Sequence, residues 1–136
     1  MIARDELLAL AREAAQRAFC PYSHFHVGAA VVAGEKTYIG VNIEISSYGL
    51  TLCAERVAVF KAISEGAREF RRMAIVADSE KLTPPCGACR QILWEFCGDI
   101  EIILTNLQRS TETLQLADLF PRAFDASFDE MWRVHG

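Results

Sequence analysis

The stretch MAIVADSEKLTPPCGACRQILWEFCGDIEIIL, residues 73–104, decides the fold of this 136-residue chain. Residues 73–77 are continuously apolar and predict a short strand in a sheet that is covered on both faces. Residues 86–98 predict a helix that ends at a glycine, and residues 100–104 predict another strand. A strand, a helix and a second strand in this order indicate an α/β domain.

The flanking residues extend this pattern in both directions. Apolar spacing predicts a helix over residues 5–19 that Pro21 ends, then a buried strand over residues 25–33 and a tight turn. Residues 37–45 alternate as a strand, with Ile39, Val41, Ile43 and Ile45 on one face and Tyr38, Gly40, Asn42 and Glu44 on the other. Further segments predict a helix over residues 53–66, a strand near residues 111–114 and a broken helix over residues 116–124.

Together these elements predict a three-layer α/β/α sandwich with a mixed central sheet of about five strands. The length suits one domain over residues 1–136. The composition, 51% apolar and 24% charged, is that of a globular protein, and no apolar run reaches the length of a membrane span. The net charge of −4 argues against binding to a long nucleic-acid backbone. We therefore expect a small-molecule substrate or a protein partner.

The N-terminal residues 1–19 lack the layout of a signal peptide, so we expect a cytoplasmic protein. Thiols stay reduced in that compartment, and the five cysteines, an odd number, also argue against a disulfide framework. The cysteines therefore call for another explanation.

Cys86 and Cys89 fall in the first turn of their predicted helix. Free backbone amides and the helix dipole favour a thiolate there, which suits redox chemistry and metal binding equally. A CxxC pair alone is a weak motif, so a thioredoxin-like dithiol, half of a metal site and coincidence all remain open.

Cys53 adds a third thiol at the start of another helix that also follows a strand. Adjacent helices on one face of a sheet can bring their N-termini together, so that the three sulfurs converge. A catalytic zinc keeps three protein ligands and leaves its fourth position to water. Glu55, in the same first turn as Cys53, could reach that water without being a ligand, although a glutamate there also simply complements the helix dipole.

Neither remaining cysteine is an evident fourth ligand. Cys97 lies eight residues beyond Cys89 on the same helix, roughly 12 Å of rise, whereas zinc–sulfur bonds are about 2.3 Å long. Cys20 sits alone before Pro21. The pattern favours a hydrolytic site over a closed structural one.

The motif C-A-E at residues 53–55, followed by P-C-x-x-C at residues 85–89, resembles that of the zinc-dependent nucleobase deaminases. The chain is most similar to the small, homotetrameric cytidine deaminases. Further matching segments are PYSHFHVGAA at residues 21–30, GVNIE at residues 40–44 and LTNL at residues 104–107. Ile45 departs from the family, which usually has asparagine there.

The resemblance implies deamination of cytidine and deoxycytidine to uridine and deoxyuridine plus ammonia, in pyrimidine salvage. It implies one zinc per chain and a homotetramer with shared active sites, without nucleic-acid or membrane partners. The residues that it implies are Cys53, Cys86 and Cys89 as ligands, Glu55 as proton shuttle, and Phe25, Asn42, Glu44, Tyr48 and Phe124 around the substrate, with Phe124 closing a pocket of its own chain or of a neighbour.

Three thiolates on one zinc leave a net negative charge, which would weaken the metal as a Lewis acid. The amides of two helix N-termini draw charge from the sulfurs. Arg56 and Gln91 each follow a predicted ligand closely, and we expect both to donate to the thiolates.

Two other classes of function remain as alternatives. A thiol–disulfide oxidoreductase built on residues 86–89 leaves Cys53 and Glu55 without a role. A structural zinc module that binds a partner would retain its function without Glu55. Zinc content separates the first alternative from the deaminase, and the effect of Glu55→Gln on turnover separates the second.

Overall fold

The computed structural model describes residues 2–125, which fold around a five-stranded mixed sheet with strand order β2-β1-β3-β4-β5. The predicted order of helices and strands is confirmed, and a short 3₁₀ turn lies between β2 and α2. The elements are α1 (Arg4–Ala15), β1 (Val27–Ala33), β2 (Lys36–Val41), the 3₁₀ turn (Tyr48–Leu50), α2 (Ala54–Ser64), β3 (Phe70–Ala77), α3 (Gly87–Cys97), β4 (Glu101–Thr105), β5 (Thr111–Gln115) and α4 (Leu116–Leu119).

The sheet mixes both kinds of pairing, as predicted. Strand β1 pairs antiparallel with β2 and with β3, and β4 pairs antiparallel with β5. Strands β3 and β4 are parallel, and α3 forms the crossover that parallel neighbours require. Within residues 2–125 no helix is both long and apolar enough to cross a bilayer.

Helices cover both faces of the sheet, so β1 is apolar on both sides. Ala29 and Val31 pack into the larger core cluster with α2 and α3. Ala30 and Val32 point to the opposite face, where they pack with Leu7 of α1. Burial on both faces explains why this strand is a continuous apolar run rather than an alternating one.

Several boundaries differ from those expected from sequence, among them the last helix, which ends at Leu119, and one tertiary contact explains two of them. Helix α1 ends at Ala15, and the chain then turns so that Phe19 can pair with the segment after β2. The amide of Phe19 donates to Asn42 O at 2.9 Å, and the amide of Glu44 donates to Phe19 O at 2.8 Å. Strand β2 accordingly ends at Val41 instead of continuing to residue 45.

Near the end of the segment over residues 38–45, burial is the reverse of what the polarity of its residues suggests. Asn42 and Glu44 are buried, whereas Ile43 and Ile45 are more than one-third exposed. Polar residues on an alternating strand usually face solvent. Here they face the interior beside α2, so their burial needs a specific set of partners.

Two glycines set how closely helices approach the sheet. A Cβ built on Gly40 would lie 2.4 Å from Ala54 O and 2.4 Å from Ala58 N, so the backbone of α2 rests directly on β2. A Cβ on Gly28 would lie 2.1 Å from Ala11 O in α1. The approach at Gly40 fixes the position of the first turn of α2 relative to the sheet, and the approach at Gly28 fixes the position of α1.

We expect Gly40→Ala to lower the free energy of unfolding by about 1–3 kcal/mol, because the added methyl overlaps backbone atoms that cannot move aside alone. Denaturant unfolding followed by circular dichroism measures the change. Gly49→Ala is the matched control, since a Cβ there meets nothing within 4 Å. Equal stability of the two variants would contradict the close approach.

Candidate metal centre and substrate pocket

The three predicted ligands come together at the start of two neighbouring helices. Cys53 is the N-cap residue of α2, Cys86 is the N-cap residue of α3, and Cys89 lies in the first turn of α3. All three sulfur atoms lie within 4.8 Å of one another, with 3.8 Å between the Sγ atoms of Cys53 and Cys86 and 3.5 Å between those of Cys86 and Cys89.

These distances fit a shared metal rather than a disulfide. Bonded sulfurs lie about 2.05 Å apart, whereas two thiolates at about 2.3 Å from a tetrahedral zinc lie roughly 3.8 Å apart. All five cysteines of the chain are free. Sulfur ligands in a tetrahedral spacing suit zinc, so the donor set fits the predicted metal.

The cluster favours a thiolate even before metal chemistry is considered. The neighbouring Cys89 thiol, followed by the donors of Arg56, lowers the pKa of Cys53 to about 5 despite burial. Contact with Cys53 and burial raise the pKa of Cys89. The N-terminal ends of α2 and α3 act in the same direction as Arg56, because their free amides stabilise negative charge.

Arg56 lies where the sequence places it, against the sulfur cluster. Its Nη2 donates to Cys53 Sγ at 3.4 Å and to Thr51 O at 3.3 Å. Its Nε is buried and has no partner among the described residues, so the guanidinium has donor capacity to spare for further thiolate charge.

Glu55 is buried in the first turn of α2, beside the cysteines. Burial raises the pKa of this carboxyl to about 7, and the negative charge of Cys53 adds to the rise. At this value the group can take up and release protons near neutral pH, as general acid–base chemistry requires.

A cavity of about 260 Å³ opens onto this cluster. Its lining includes two of the three cysteines and the buried glutamate, Cys53, Cys86 and Glu55. It also includes four predicted substrate contacts, Phe25, Asn42, Glu44 and Tyr48. A larger cavity of about 560 Å³ runs along α1, but its lining includes none of the predicted site residues. Chemistry rather than size therefore identifies the candidate site.

Glu44 is held by the loop that precedes β1. Its Oε1 accepts hydrogen bonds from the amides of Tyr22 and Ser23, both at 3.0 Å, and its Oε2 accepts one from the Ser23 hydroxyl. The Ser23 hydroxyl, foremost among these donors, keeps the pKa of Glu44 below its ordinary value although burial opposes this. Glu44 is therefore a fixed carboxylate at the pocket wall.

Asn42 connects the end of β2 to the start of β1. Its Nδ2 donates to Phe25 O at 2.7 Å, and its Oδ1 accepts from the amide of Val27 at 3.0 Å. One amide hydrogen and one lone pair remain, so the side chain can hold the pocket wall and still contact a ligand.

Gln91 and Phe124 are the predicted site residues that belong neither to the sulfur cluster with its Arg56 donor nor to the cavity lining. Gln91 donates through Nε2 to Phe124 O at 2.8 Å, so its donation to a thiolate stays a prediction. Phe124 is 64% exposed and does not line the cavity of its own chain. Nearby, Trp94 Nε1 donates to Asp125 Oδ2 at 3.1 Å, which places the C-terminal segment along α3.

Sequence reasoning did not identify Ser23 as part of the site. Its partner Glu44 lies 21 residues away, and a serine in a turn after proline has an ordinary local explanation. The only available signal is its position inside the matching PYSHF segment.

Comparisons with known proteins agree with this geometry. A profile for the cytidine and deoxycytidylate deaminase zinc-binding region matches residues 1–105. A cytidine deaminase of Sporosarcina psychrophila is 49% identical over 122 residues, covering 88% of this chain and 90% of that protein. A cytidine deaminase of Halalkalibacterium halodurans is 47% identical over 125 residues, covering 90% and 95% of the two chains.

Solved structures show the same likeness. The crystal structure of cytidine deaminase from Burkholderia pseudomallei superposes with a TM-score of 0.88 at 40% identity, covering 90% of this chain and all of that one. The cytidine deaminase of Mycobacterium tuberculosis superposes with a TM-score of 0.77 at 37% identity, covering 91% and 98% of the two chains.

We expect Arg56→Ala to raise the pKa of Cys53 in chelator-treated protein, because it removes a donor to the thiolate. The rate of Cys53 alkylation by iodoacetamide, followed by mass spectrometry from about pH 4 to 8, reports this pKa. The midpoint should move upward in Arg56→Ala. Arg90→Ala is the matched control, since Arg90 also follows a cysteine but donates to Pro85 O and Leu119 O. Identical midpoints in all three proteins would rule out the charge role of Arg56.

Proposed function

Since this chain belongs to the cytidine and deoxycytidylate deaminase family, we propose that it hydrolyses cytidine and deoxycytidine to uridine and deoxyuridine with release of ammonia. The observation that carries the proposal is the convergence of three cysteine sulfurs beside buried Glu55 in one cavity. We further propose that residues 1–136 form one deaminase domain that acts in the cytoplasm, in pyrimidine salvage.

In this proposal Cys53, Cys86 and Cys89 hold one zinc per chain. Zinc, when bound, supplies a water whose pKa is lowered toward neutrality. Arg56 and the amides at the starts of α2 and α3 offset the negative charge of the three thiolates. Gln91 has a second amide hydrogen for the same purpose.

Glu55 moves the protons. With a pKa of about 7 it accepts a proton from the attacking water and delivers it to ring nitrogen 3 of the pyrimidine. It then takes the second proton and delivers it to the amino group, which leaves as ammonia. Burial beside the sulfur cluster supports this role, because it keeps the carboxyl close to its operating pH and away from bulk water.

The cavity wall suits a nucleoside. We propose that Phe25 packs on the pyrimidine and that Asn42 and Glu44 bind hydroxyls of the sugar, because all three residues line the cavity. Two carboxyl groups in one cavity, Glu44 and Glu55, would repel a phosphate, and the net charge of −4 acts in the same direction. These features support a free nucleoside as substrate rather than a nucleic acid.

The alternative functions fit the site less well. A dithiol oxidoreductase does not account for Cys53, whose sulfur lies 3.8 Å from that of Cys86. A structural zinc module does not account for a buried glutamate with a pKa near 7 at the wall of a cavity. Hydrolytic chemistry uses both features.

We also propose a homotetramer in which neighbours complete each other's sites. Large apolar side chains are exposed at or next in sequence to the cavity-lining residues Ser23, Glu44 and Tyr48, and two of them, Tyr22 and Tyr48, pack edge to face at 6.4 Å. Such a patch is typical of a protein interface. Closed groups of four usually have dihedral symmetry with self-complementary contacts. The exposed members are Phe19, Tyr22, Ile43, Ile45, Tyr48 and Leu50.

We expect Glu55→Gln to retain fold and zinc but to lower turnover of cytidine about 10²–10⁴-fold, because the proton shuttle is lost. Ultraviolet-monitored turnover, metal analysis and circular dichroism measure the three properties. Glu65→Gln, at the exposed end of the same helix, should keep full activity. Turnover close to wild type in Glu55→Gln would refute the assignment.

We expect Leu50→Glu to dissociate the assembly and to lower turnover while each subunit keeps its zinc, because a charge enters the apolar patch. Light scattering and turnover on one dilution series test this. Leu107→Glu is the matched control, since Leu107 is 59% exposed, as Leu50 is 68% exposed, but lies in the loop after β4. A Leu50→Glu monomer with full activity would defeat the shared-site proposal.

A further inference from the structure

A chain of hydrogen bonds passes through the hydroxyl of Ser23. The amide of Phe25 donates to Ser23 Oγ at 3.0 Å, and the Ser23 hydroxyl donates to Glu44 Oε2. Because Oγ accepts from Phe25 on one side, its single proton is directed to Glu44 on the other. The side chain of Ser23 thus connects Phe25, which we propose packs on the base, with Glu44, which we propose binds the sugar.

The bonds to Glu44 also determine what this carboxylate can still accept. An ionised carboxylate offers about four lone-pair directions and no donor. The amides of Tyr22 and Ser23 occupy Oε1, and the Ser23 hydroxyl occupies one direction of Oε2. The remaining capacity lies on Oε2, and it suits a hydroxyl group that donates.

The orientation of this carboxylate depends on Ser23 more than on its other partners. The two amides hold Oε1 from the same loop but leave the carboxylate free to rotate about that anchor. The hydroxyl of Ser23 fixes the second oxygen, so that the plane of the group is set. Glu44 is only 4% exposed, so loss of the Ser23 donor leaves Oε2 of a buried carboxylate short of one hydrogen bond.

We propose that Ser23 is a positioning residue for sugar recognition: its hydroxyl orients Glu44 Oε2 toward one donating 2′- or 3′-hydroxyl of the nucleoside. This inference rests on the proposed function. Ser23 contacts neither the sulfur cluster nor Glu55. The loop before β1 would therefore distinguish sugars that carry the hydroxyl from sugars that lack it.

Steady-state kinetics on cytidine and 2′,3′-dideoxycytidine test the proposal with the zinc-loaded enzyme. Ser23→Ala should raise KM for cytidine about three- to tenfold, the effect of one hydrogen bond, with kcat little changed. It should leave kcat/KM for dideoxycytidine unchanged, because that substrate lacks the 2′- and 3′-hydroxyls from which Glu44 would accept. Ser23→Thr, which keeps the hydroxyl, should restore the cytidine KM.

A double-mutant cycle supplies an independent readout. In a Glu44→Gln background, Ser23→Ala should produce no further rise in the cytidine KM, because Ser23 acts through the carboxylate. An equal loss on both nucleosides, an additive effect with Glu44→Gln, or an unchanged cytidine KM would each overturn the proposal.

The proposed function can fail separately. Wild-type protein that binds zinc but does not turn over cytidine would refute the deaminase activity. Calorimetric Kd values for cytidine and dideoxycytidine, compared between wild type and Ser23→Ala, would then still decide whether Ser23 reads the sugar.

Discussion

The site depends on one packing constraint, the direct contact of the backbone of α2 with β2 at Gly40. A side chain at that position would overlap Ala54 O and Ala58 N, which belong to the first turns of the helix. The contact therefore determines where the N-terminus of α2 lies, and Cys53 is its N-cap residue. The parallel pairing of β3 and β4 places α3 on the same face, so that its N-terminus arrives beside that of α2. Two helix ends with unpaired amides meet at one point, and the sulfur cluster forms there.

The layers of the fold were predictable from the sequence, because apolar periodicity reports burial directly. The continuous apolar run at residues 73–77, within β3, predicted a sheet covered on both faces, and the structure agrees. The boundaries at Ala15 and Val41 were not predictable, since both depend on bonds between Phe19 and the segment after β2. Local propensity carries no information about such a contact. For the same reason, polarity alone gave no sign that Asn42 and Glu44 are buried.

The candidate site divides in a similar way. The meeting of the three sulfur atoms was predictable, because helices on one face of a sheet can begin side by side. The contact of Arg56 with the cluster was also predictable, because Arg56 follows Glu55 in the first turn of a predicted helix. Hydrogen bonds between residues distant in sequence could not be predicted. The bond from Ser23 to Glu44 and the bond from Gln91 to Phe124 connect segments 21 and 33 residues apart, with no periodic signal at either end. The chemistry was thus readable from the residues, whereas the support around it required coordinates.

The close approach at the two glycines has a consequence for how such a chain can change over generations. Any replacement of Gly28 or Gly40 adds a carbon atom to a space already filled by helix backbone. The facing helix positions, among them Ala11, Ala54 and Ala58, are fully buried alanines with equally little room. A helix could retreat to admit a larger residue only by moving its own N-terminus, and α2 carries a cysteine there. A substitution at the core positions along α2 would therefore displace an active-site residue. We expect relatives of this protein to differ at the pocket rim and the surface before they differ at these small residues.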